Sequence, residues 1–260
     1  MTAKTTIDPL TKLSGEFTRQ SETERANVQR LFELQMDILP RLGPNWNLHQ
    51  TVFLKGQSLS RLIYYYELYQ QILTVPGVIC EFGVQWGASL TTLISLRGML
   101  EPFNNSRVIY GFDTFEGFVQ LDEKDGGFSA KGDYSTTERY YELLGEIIQL
   151  QESFSPIPQI KKFELVKGDA SDTLPQWLEN NPHAIVAMAI LDMDVYKPTK
   201  DVLEGILPRL TKGSLLVFDE LNCPFFPGET RAVAEVFGLN NLKLQRSPRQ
   251  PYCAWAVFGG

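Results

Sequence analysis

Val78-Ile79-Cys80-Glu81-Phe82-Gly83-Val84-Gln85-Trp86-Gly87-Ala88-Ser89 decides how the rest of the chain is read. Apolar residues run into an acid and a glycine, and a second glycine opens the next helical stretch. That is the profile of a buried parallel strand that stops at a nucleotide-sized ligand. The glycines let ligand and backbone approach closely, and the following helix begins beside the ligand. The stretch is not G-x-G-x-x-G. It lacks one glycine of the dinucleotide fingerprint, whose glycines serve a pyrophosphate. A nucleoside without phosphates fits better.

Upstream, Ser21-Glu22-Thr23-Glu24 reads as a capping box, followed by an apolar stripe from Val28 to Leu39 at roughly helical spacing. Pro40 and Gly43-Pro44 end that helix, and Asn45 to Gly56 reads as a loop. Ser58 to Leu73 reads as a second helix, closed by Pro76-Gly77. Residues 1 to about 20 are polar and aperiodic, the pattern of a mobile tail. The two helices precede the first βα unit, and a nucleotide fold does not need them. They either pack on the sheet edge or act as a lid, an acceptor-pocket wall or a subunit contact. The domain reading is therefore 1–76 as N-terminal tail and helical extension and 77–260 as the cofactor-binding domain.

Downstream, strand and helix alternate. Strands are expected at Arg107 to Phe112, Lys162 to Lys167, Ala184 to Leu191 and Ser214 to Phe218. Helices are expected at Gly87 to Leu100, Thr136 to Gln151, Thr173 to Asn180, Thr199 to Leu210 and Thr230 to Phe237. Leu121 to Asp133 is a charged loop. Leu242 to Arg246 and Cys253 to Phe258 close the chain as a strand pair. The fold class is α/β: a doubly wound, mostly parallel seven-stranded sheet with a C-terminal antiparallel strand.

The 260 residues suffice for one large α/β domain with an added segment, and a net charge of −7 argues against a nucleic-acid binder. No apolar run reaches membrane-spanning length and the N-terminus has no apolar signal core, so a soluble cytoplasmic protein is expected. Cys80, Cys223 and Cys253 are odd in number and far apart, which indicates neither a disulfide framework nor a thiolate metal site.

Ligands of such sheets bind outside the carboxyl ends of the strands. The expected strands end in Glu81-Phe82-Gly83, Asp113, Gly168-Asp169, Asp192 and Asp219-Glu220. Singly, each acid reads as a turn or a helix cap. Together they form a ring of like charges that needs a cation or a ligand donor. S-adenosylmethionine is the common phosphate-free nucleoside cofactor, and its amino group and sulfonium suit such acids. Asp113 stands where a carboxylate accepts both ribose hydroxyls, or else forms an Asx-turn. Asp169 either bonds the adenine edge or caps a helix. If the fourth and fifth strands are neighbours, Asp192, Asp219 and Glu220 converge on an oxygen-only site suited to Mg²⁺. Asp194 reads as structural, and Lys197 and Lys200 as solvated charges on the next helix.

Glu81 to Ser89, Tyr110-Gly-Phe-Asp-Thr-Phe-Glu-Gly117, Lys167-Gly-Asp-Ala-Ser-Asp-Thr-Leu-Pro175, Leu191-Asp-Met-Asp-Val-Tyr-Lys-Pro-Thr199 and Gly213-Ser-Leu-Leu-Val-Phe-Asp-Glu220 resemble the macrocin/mycinamicin-type sugar O-methyltransferases. These are class I S-adenosylmethionine-dependent enzymes of antibiotic and natural-product biosynthesis. The first motif also resembles that of catechol-type methyltransferases. The resemblance runs from about Leu62 to about Val236. It implies a cofactor site on Glu81, Gly83, Val84, Ser89, Asp113, Asp169, Ala170 and Ser171. It implies a Mg²⁺ site on Asp192, Asp219 and Glu220, with Asp192 as general base toward a sugar hydroxyl. A glycoside or other natural product is the implied substrate, and a homo-oligomer the implied assembly. The family's usual Asp-Asp is Asp219-Glu220 here, and Val119 to Ser135 departs from the usual pattern.

Rival readings are a metal-independent methyltransferase acting on another hydroxyl or a carboxylate, a nicotinamide-dependent dehydrogenase, and a catalytically silent binding fold. The missing glycine opposes the dehydrogenase, and the intact strand-end acids oppose the silent fold.

Overall fold

The computed structural model describes residues 11–13, 16–18 and 20–260. The chain divides into two compact units, residues 1–60 and 61–260. In the first unit, β1 (Thr11–Leu13) and β2 (Glu16–Thr18) pair antiparallel. The mobile-tail expectation otherwise falls outside the described residues; these strands depart from it because ladder hydrogen bonds need no side-chain periodicity. Helix α1 (Glu22–Ile38) begins as expected, with Ser21 and Glu24 in a reciprocal capping box. The stretch expected as a loop after it coils instead into α2 (Trp46–His49) and a 3₁₀ turn at Gln50–Phe53. Single turns are too short to carry a periodic signal.

Helix α3 (Gly56–Gln71) belongs to the second unit from Arg61 onward. The elements that follow are β3 (Val78–Phe82), α4 (Ala88–Leu100), β4 (Ile109–Asp113), α5 (Tyr140–Ser153), β5 (Phe163–Lys167) and α6 (Ala170–Asn180). Then come β6 (Val186–Leu191), α7 (Tyr196–Ile206), β7 (Leu210–Phe218), α8 (Pro227–Val236), β8 (Gln245–Arg246) and β9 (Ala254–Val257). The seven strands order as β5-β4-β3-β6-β7-β9-β8, parallel except at β9, which runs antiparallel to both β7 and β8.

Alternation along the strands separates two cores. Ile79, Met188, Ile190, Leu215 and Val217 face α3, α4 and α5, where Tyr65, Leu68, Leu90, Leu93 and Ile148 meet them. Cys80, Phe82, Ala189, Leu191 and Phe218 face α6, α7 and α8. Every residue of β3 and β6 is buried, which is why β6 reads as an unbroken apolar run and β3 as one interrupted only by Glu81. Phe82 stacks on Phe112 at 4.7 Å, and Trp177 of α6 closes edge-on over Phe112. Each such side chain contributes about 1.5–3 kcal/mol of burial.

Four helices begin three or four residues from their expected starts: α6 opens at Ala170 rather than Thr173, capped by Asp169, and α8 at Pro227 rather than Thr230, with Pro at its first turn. Helix α7 opens at Tyr196 rather than Thr199, because the Tyr196 amide donates to Asp125, a cap supplied by the distant loop. Helix α5 opens at Tyr140 rather than Thr136, after Arg139 in the left-handed region at φ 63°. Among the described residues no helix is long and apolar enough to cross a membrane.

Strands β4 and β5 lie on one side of β3, whereas β6 and β7 lie on the other. The chain therefore reverses direction across the sheet between β3 and β6, and a crevice opens at their carboxyl ends. The ladder continues past the strand ends: the Asp192 amide donates to the Phe82 carbonyl at 2.8 Å and the Asp219 amide to the Leu191 carbonyl at 3.1 Å. This aligns Gly83, Asp192 and Asp219 along one edge.

Candidate active site

The loop from β3 to α4 is organised by Asp113 at the end of β4. One Asp113 oxygen accepts the amide hydrogens of Val84 at 2.7 Å and Gln85 at 2.8 Å, and the other accepts that of Phe115. The contact to Phe115 is the Asx-turn anticipated for this residue, and it holds the carboxylate against the loop. Burial pushes the Asp113 carboxyl up, and the three amides oppose that. Gly83 and Gly87 have φ of 94° and 75°, which few other residues tolerate. A Cβ at Gly87 would meet the Leu144 side chain, and one at Gly83 the Asp192 backbone. Packing against the Asp192 backbone therefore requires Gly83, a reason different from ligand approach, whereas at Gly87 the left-handed backbone is the main constraint.

Glu81 is fully buried and accepts from the Ser89 hydroxyl, while its second oxygen has no partner. Burial pushes its carboxyl up to about 8, against the opposing Ser89 hydrogen bond. An orphaned carboxylate oxygen beside the crevice suits a ligand that brings a donor. Asp169 caps α6 by accepting the Ser171 amide at 2.9 Å, the capping alternative of its two readings. Ala170 is buried at the first turn, and the Ser171 hydroxyl is buried without a partner.

Beyond β6 and β7 the acids gather. Strands β6 and β7 are adjacent, with Leu191 opposite Phe218, so Asp192 and Asp219 leave neighbouring strand ends. Between them lies a guanidinium. Arg61 Nη1 is 2.6 Å from Asp219 Oδ1, and Nη2 is 3.4 Å from Asp192 Oδ2. Arg61 also donates to the Tyr65 hydroxyl at 3.0 Å and to Cys253 Sγ at 3.1 Å, and the Cys253 thiol donates to Asp219 at 3.1 Å.

Burial, then the charge of Asp219, holds the Asp192 carboxyl well above the usual range. Asp194, at φ 61°, is raised by burial and then by Glu220. It is a buried member of the same charge cluster. Burial lifts Glu220 to about 7. Glu229 of α8 is wholly buried, accepts the Glu220 amide at 3.1 Å, and leaves one oxygen unpartnered. Lys197 and Lys200 pair with Asp201 and Glu235, away from these acids.

Among the described residues no three His, Cys, Asp or Glu side chains are gathered as a ready-made metal cage. The chemistry of the donors nevertheless fits a hard divalent ion. Asp192, Asp219 and Glu220 offer only oxygen, and Glu220 keeps a buried oxygen without a partner.

Sequence reasoning missed Arg61, Cys253 and Glu229. A signal existed for Arg61: it stands four and seven residues before Tyr65 and Leu68, on the buried stripe of α3. A charge on a core stripe needs a partner.

The sheet order, the reversed β9 and the acids at the switch point define the Rossmann-like fold of class I methyltransferases. The family model for macrocin O-methyltransferase (TylF) matches residues 10–242, and the chain belongs to this family. The crystal structure of CalS11, a calicheamicin methyltransferase, is 36% identical, with 96% of this chain and 98% of that one covered at a TM-score of 0.89. The apo structure of CalS11, a TDP-rhamnose 3′-O-methyltransferase, is likewise 36% identical, with 94% and 97% of the two chains covered at a TM-score of 0.82. A Streptomyces olivaceus tetracenomycin rhamnosyl 4′-O-methyltransferase is 30% identical over 73% of this chain and 70% of its own length. Mycinamicin III 3″-O-methyltransferase of Micromonospora griseorubida is 27% identical over 58% of this chain. The match spans 57% of that relative, a little over half its length.

Proposed function

We propose that this chain is an S-adenosylmethionine-dependent O-methyltransferase that methylates a deoxysugar hydroxyl of a glycosylated natural product, assisted by a divalent cation. The observation that carries this reading is the crevice between β3 and β6. There the orphaned oxygen of Glu81 and the loop held by Asp113 stand across from Asp192 and Asp219. The family, and relatives whose names specify sugar hydroxyls, support the substrate class.

In this reading Glu81 receives the amino group of the cofactor, and Asp113 fixes the loop against its ribose. Gly83, Val84 and Ser89 line one side; Asp169, Ala170 and Ser171 border the adenine. The acceptor oxygen attacks the methyl carbon, the carbon–sulfur bond pair returns to sulfur, and Asp192 takes the hydroxyl proton. A divalent ion held by Asp192, Asp219 and Glu220 would lower the pKa of a sugar hydroxyl bound to it. Otherwise the protein's work is alignment of oxygen, carbon and sulfur. Residues 1–76 serve as acceptor-pocket or oligomer segment and 77–260 as the cofactor domain, in a cytoplasmic homo-oligomer. Exposed Phe32 and Met36 on α1 support a subunit contact.

Methyl transfer from S-adenosylmethionine to a panel of deoxysugar nucleotides and glycosides tests the reading, with and without EDTA and added Mg²⁺. Transfer that EDTA removes and Mg²⁺ restores is expected. Full activity in EDTA would discard the metal role, and absence of S-adenosylhomocysteine binding would discard the enzyme class. The second reading, a methyltransferase without metal, is favoured by one observation: Arg61 already supplies positive charge between Asp192 and Asp219.

A further inference from the structure

The same guanidinium bears on how Asp192, Asp219 and Glu220 would hold a divalent cation. Resting on that metal reading, we propose that Arg61 is an internal counter-ion that competes with the cation, so that the ion binds only as Arg61 leaves Asp192 and Asp219. Asp219 Oδ1 has Arg61 Nη1 at 2.6 Å and the Cys253 thiol at 3.1 Å, so that oxygen is already engaged twice. Asp192 Oδ2 faces the second arm of the same fork. A Mg²⁺ ion sits about 2.0–2.1 Å from each ligand oxygen and insists on near-octahedral geometry. A guanidinium at hydrogen-bond distance from the same oxygens excludes that geometry, and two cations at such separation repel.

Arg61 is also built to occupy and to leave. Its fork is set by the Tyr65 hydroxyl one turn along α3, and its carbon lies over the Tyr65 ring at 5.1 Å. Its side chain remains 29% exposed, which leaves it an open side. Its long stem can swing out without disturbing the backbone of α3. Glu229, buried with one unpartnered oxygen and accepting the Glu220 amide with the other, adds a further acid beside Glu220. The counter-ion keeps the acids from repelling one another before the metal arrives. It makes metal affinity weaker than the bare donor set would give.

The test is Mn²⁺ binding to the full-length protein, followed by the electron paramagnetic resonance signal of the free ion. Wild type, Arg61→Gln and Arg61→Lys are compared, with Asp219→Asn as the variant that removes a ligand. S-adenosylhomocysteine titration checks that each variant is folded. Arg61→Gln is expected to bind Mn²⁺ at least tenfold tighter than wild type, with Arg61→Lys between them. The order should persist in about 0.5 M salt, where longer-range fields are screened and direct displacement is not. If Arg61→Gln does not fold, Arg61→Lys carries the comparison, with tighter binding than wild type expected. Mn²⁺ affinity in the Arg61 variants equal to or weaker than that of wild type overturns the competition and leaves the metal reading standing. No Mn²⁺ binding by any form overturns both.

Discussion

A Cβ placed on Gly83 would lie 1.9 Å from the backbone carbonyl oxygen of Asp192. The cofactor loop and the proposed base are thus in backbone contact across the switch point. With φ at 94°, Gly83→Ala meets both a clash and backbone strain. We predict a loss of at least about 2 kcal/mol in unfolding free energy, together with weaker S-adenosylhomocysteine binding. Gly145→Ala is the contrasting variant: it lies inside α5 with no atom near its missing Cβ, and should gain about 0.5–1 kcal/mol. Urea unfolding followed by circular dichroism separates them, and equal midpoints for Gly83→Ala and wild type would refute the account.

Asp113 holds the same loop from the other side. Asp113→Ala releases the amides of Val84 and Gln85 and removes the carboxylate proposed to fix the loop against the ribose. Calorimetric titration should show S-adenosylhomocysteine affinity at least about tenfold weaker. Asp113→Asn keeps one carbonyl acceptor and should fall between. An unchanged affinity in Asp113→Ala would remove it from the site.

Glu81 makes a prediction about pH. Its folded carboxyl titrates near 8 because it is buried, whereas in the unfolded chain it titrates near the ordinary value of 4.5. Between those values the unfolded chain has released a proton that the folded chain still binds. Its contribution to stability therefore falls as pH rises from about 4.5 to about 8, and levels off above that. Glu81→Gln removes the effect. The difference in melting temperature, variant minus wild type, should grow from pH 5 to pH 8 and shrink when S-adenosylmethionine supplies a donor. A difference that stays level with pH would show that Glu81 does not bear this charge cost.

These residues also show what a sequence can and cannot display. Glu81, Asp113, Asp192 and Asp219 were legible because a strand's apolar run stops abruptly at its carboxyl end, and in a doubly wound sheet those ends share an edge. The full burial of β6 was legible for the same reason. Arg61 was not singled out because an arginine on a helix is most often solvated, and only the pairing across the fold reveals its partners. The start of α7 was hidden because its cap, Asp125, comes from a loop with no local relation to it. The helical turns after α1 were hidden because one turn has no period.

A buried ion cluster gives a prediction independent of the site. Arg97 and Lys162 are both buried, and both reach Glu152, Lys162 at 2.7 Å. Arg97 also donates to the Lys162 carbonyl, and Lys162 to the carbonyls of Ile157 at 2.9 Å and Ile160 at 3.2 Å. Glu152→Ala leaves two buried cations facing each other, and should cost about 3–5 kcal/mol. Arg97→Met removes one cation, leaves Lys162 paired with Glu152, and should cost less. Thermal unfolding ranks the two, and the reverse order would refute this assignment.

Asp192 supports the last prediction, which separates its chemistry from its packing. Asp192→Asn is nearly the same size and retains the backbone amide that donates to Phe82, so the strand end should persist. What it loses is the negative charge, which in the proposed reaction takes the proton and helps hold the cation, and which pairs with Arg61. We predict a fall in kcat of about 10²–10⁴-fold, the usual contribution of a general base, with S-adenosylhomocysteine affinity within about threefold of wild type. The residual rate should then climb with pH, as hydroxide ionises the acceptor in place of the carboxylate. A variant that keeps the wild-type rate and pH profile would show that the proton leaves by another route. One that loses cofactor binding in equal measure would assign Asp192 to the fold of the crevice instead of to the reaction.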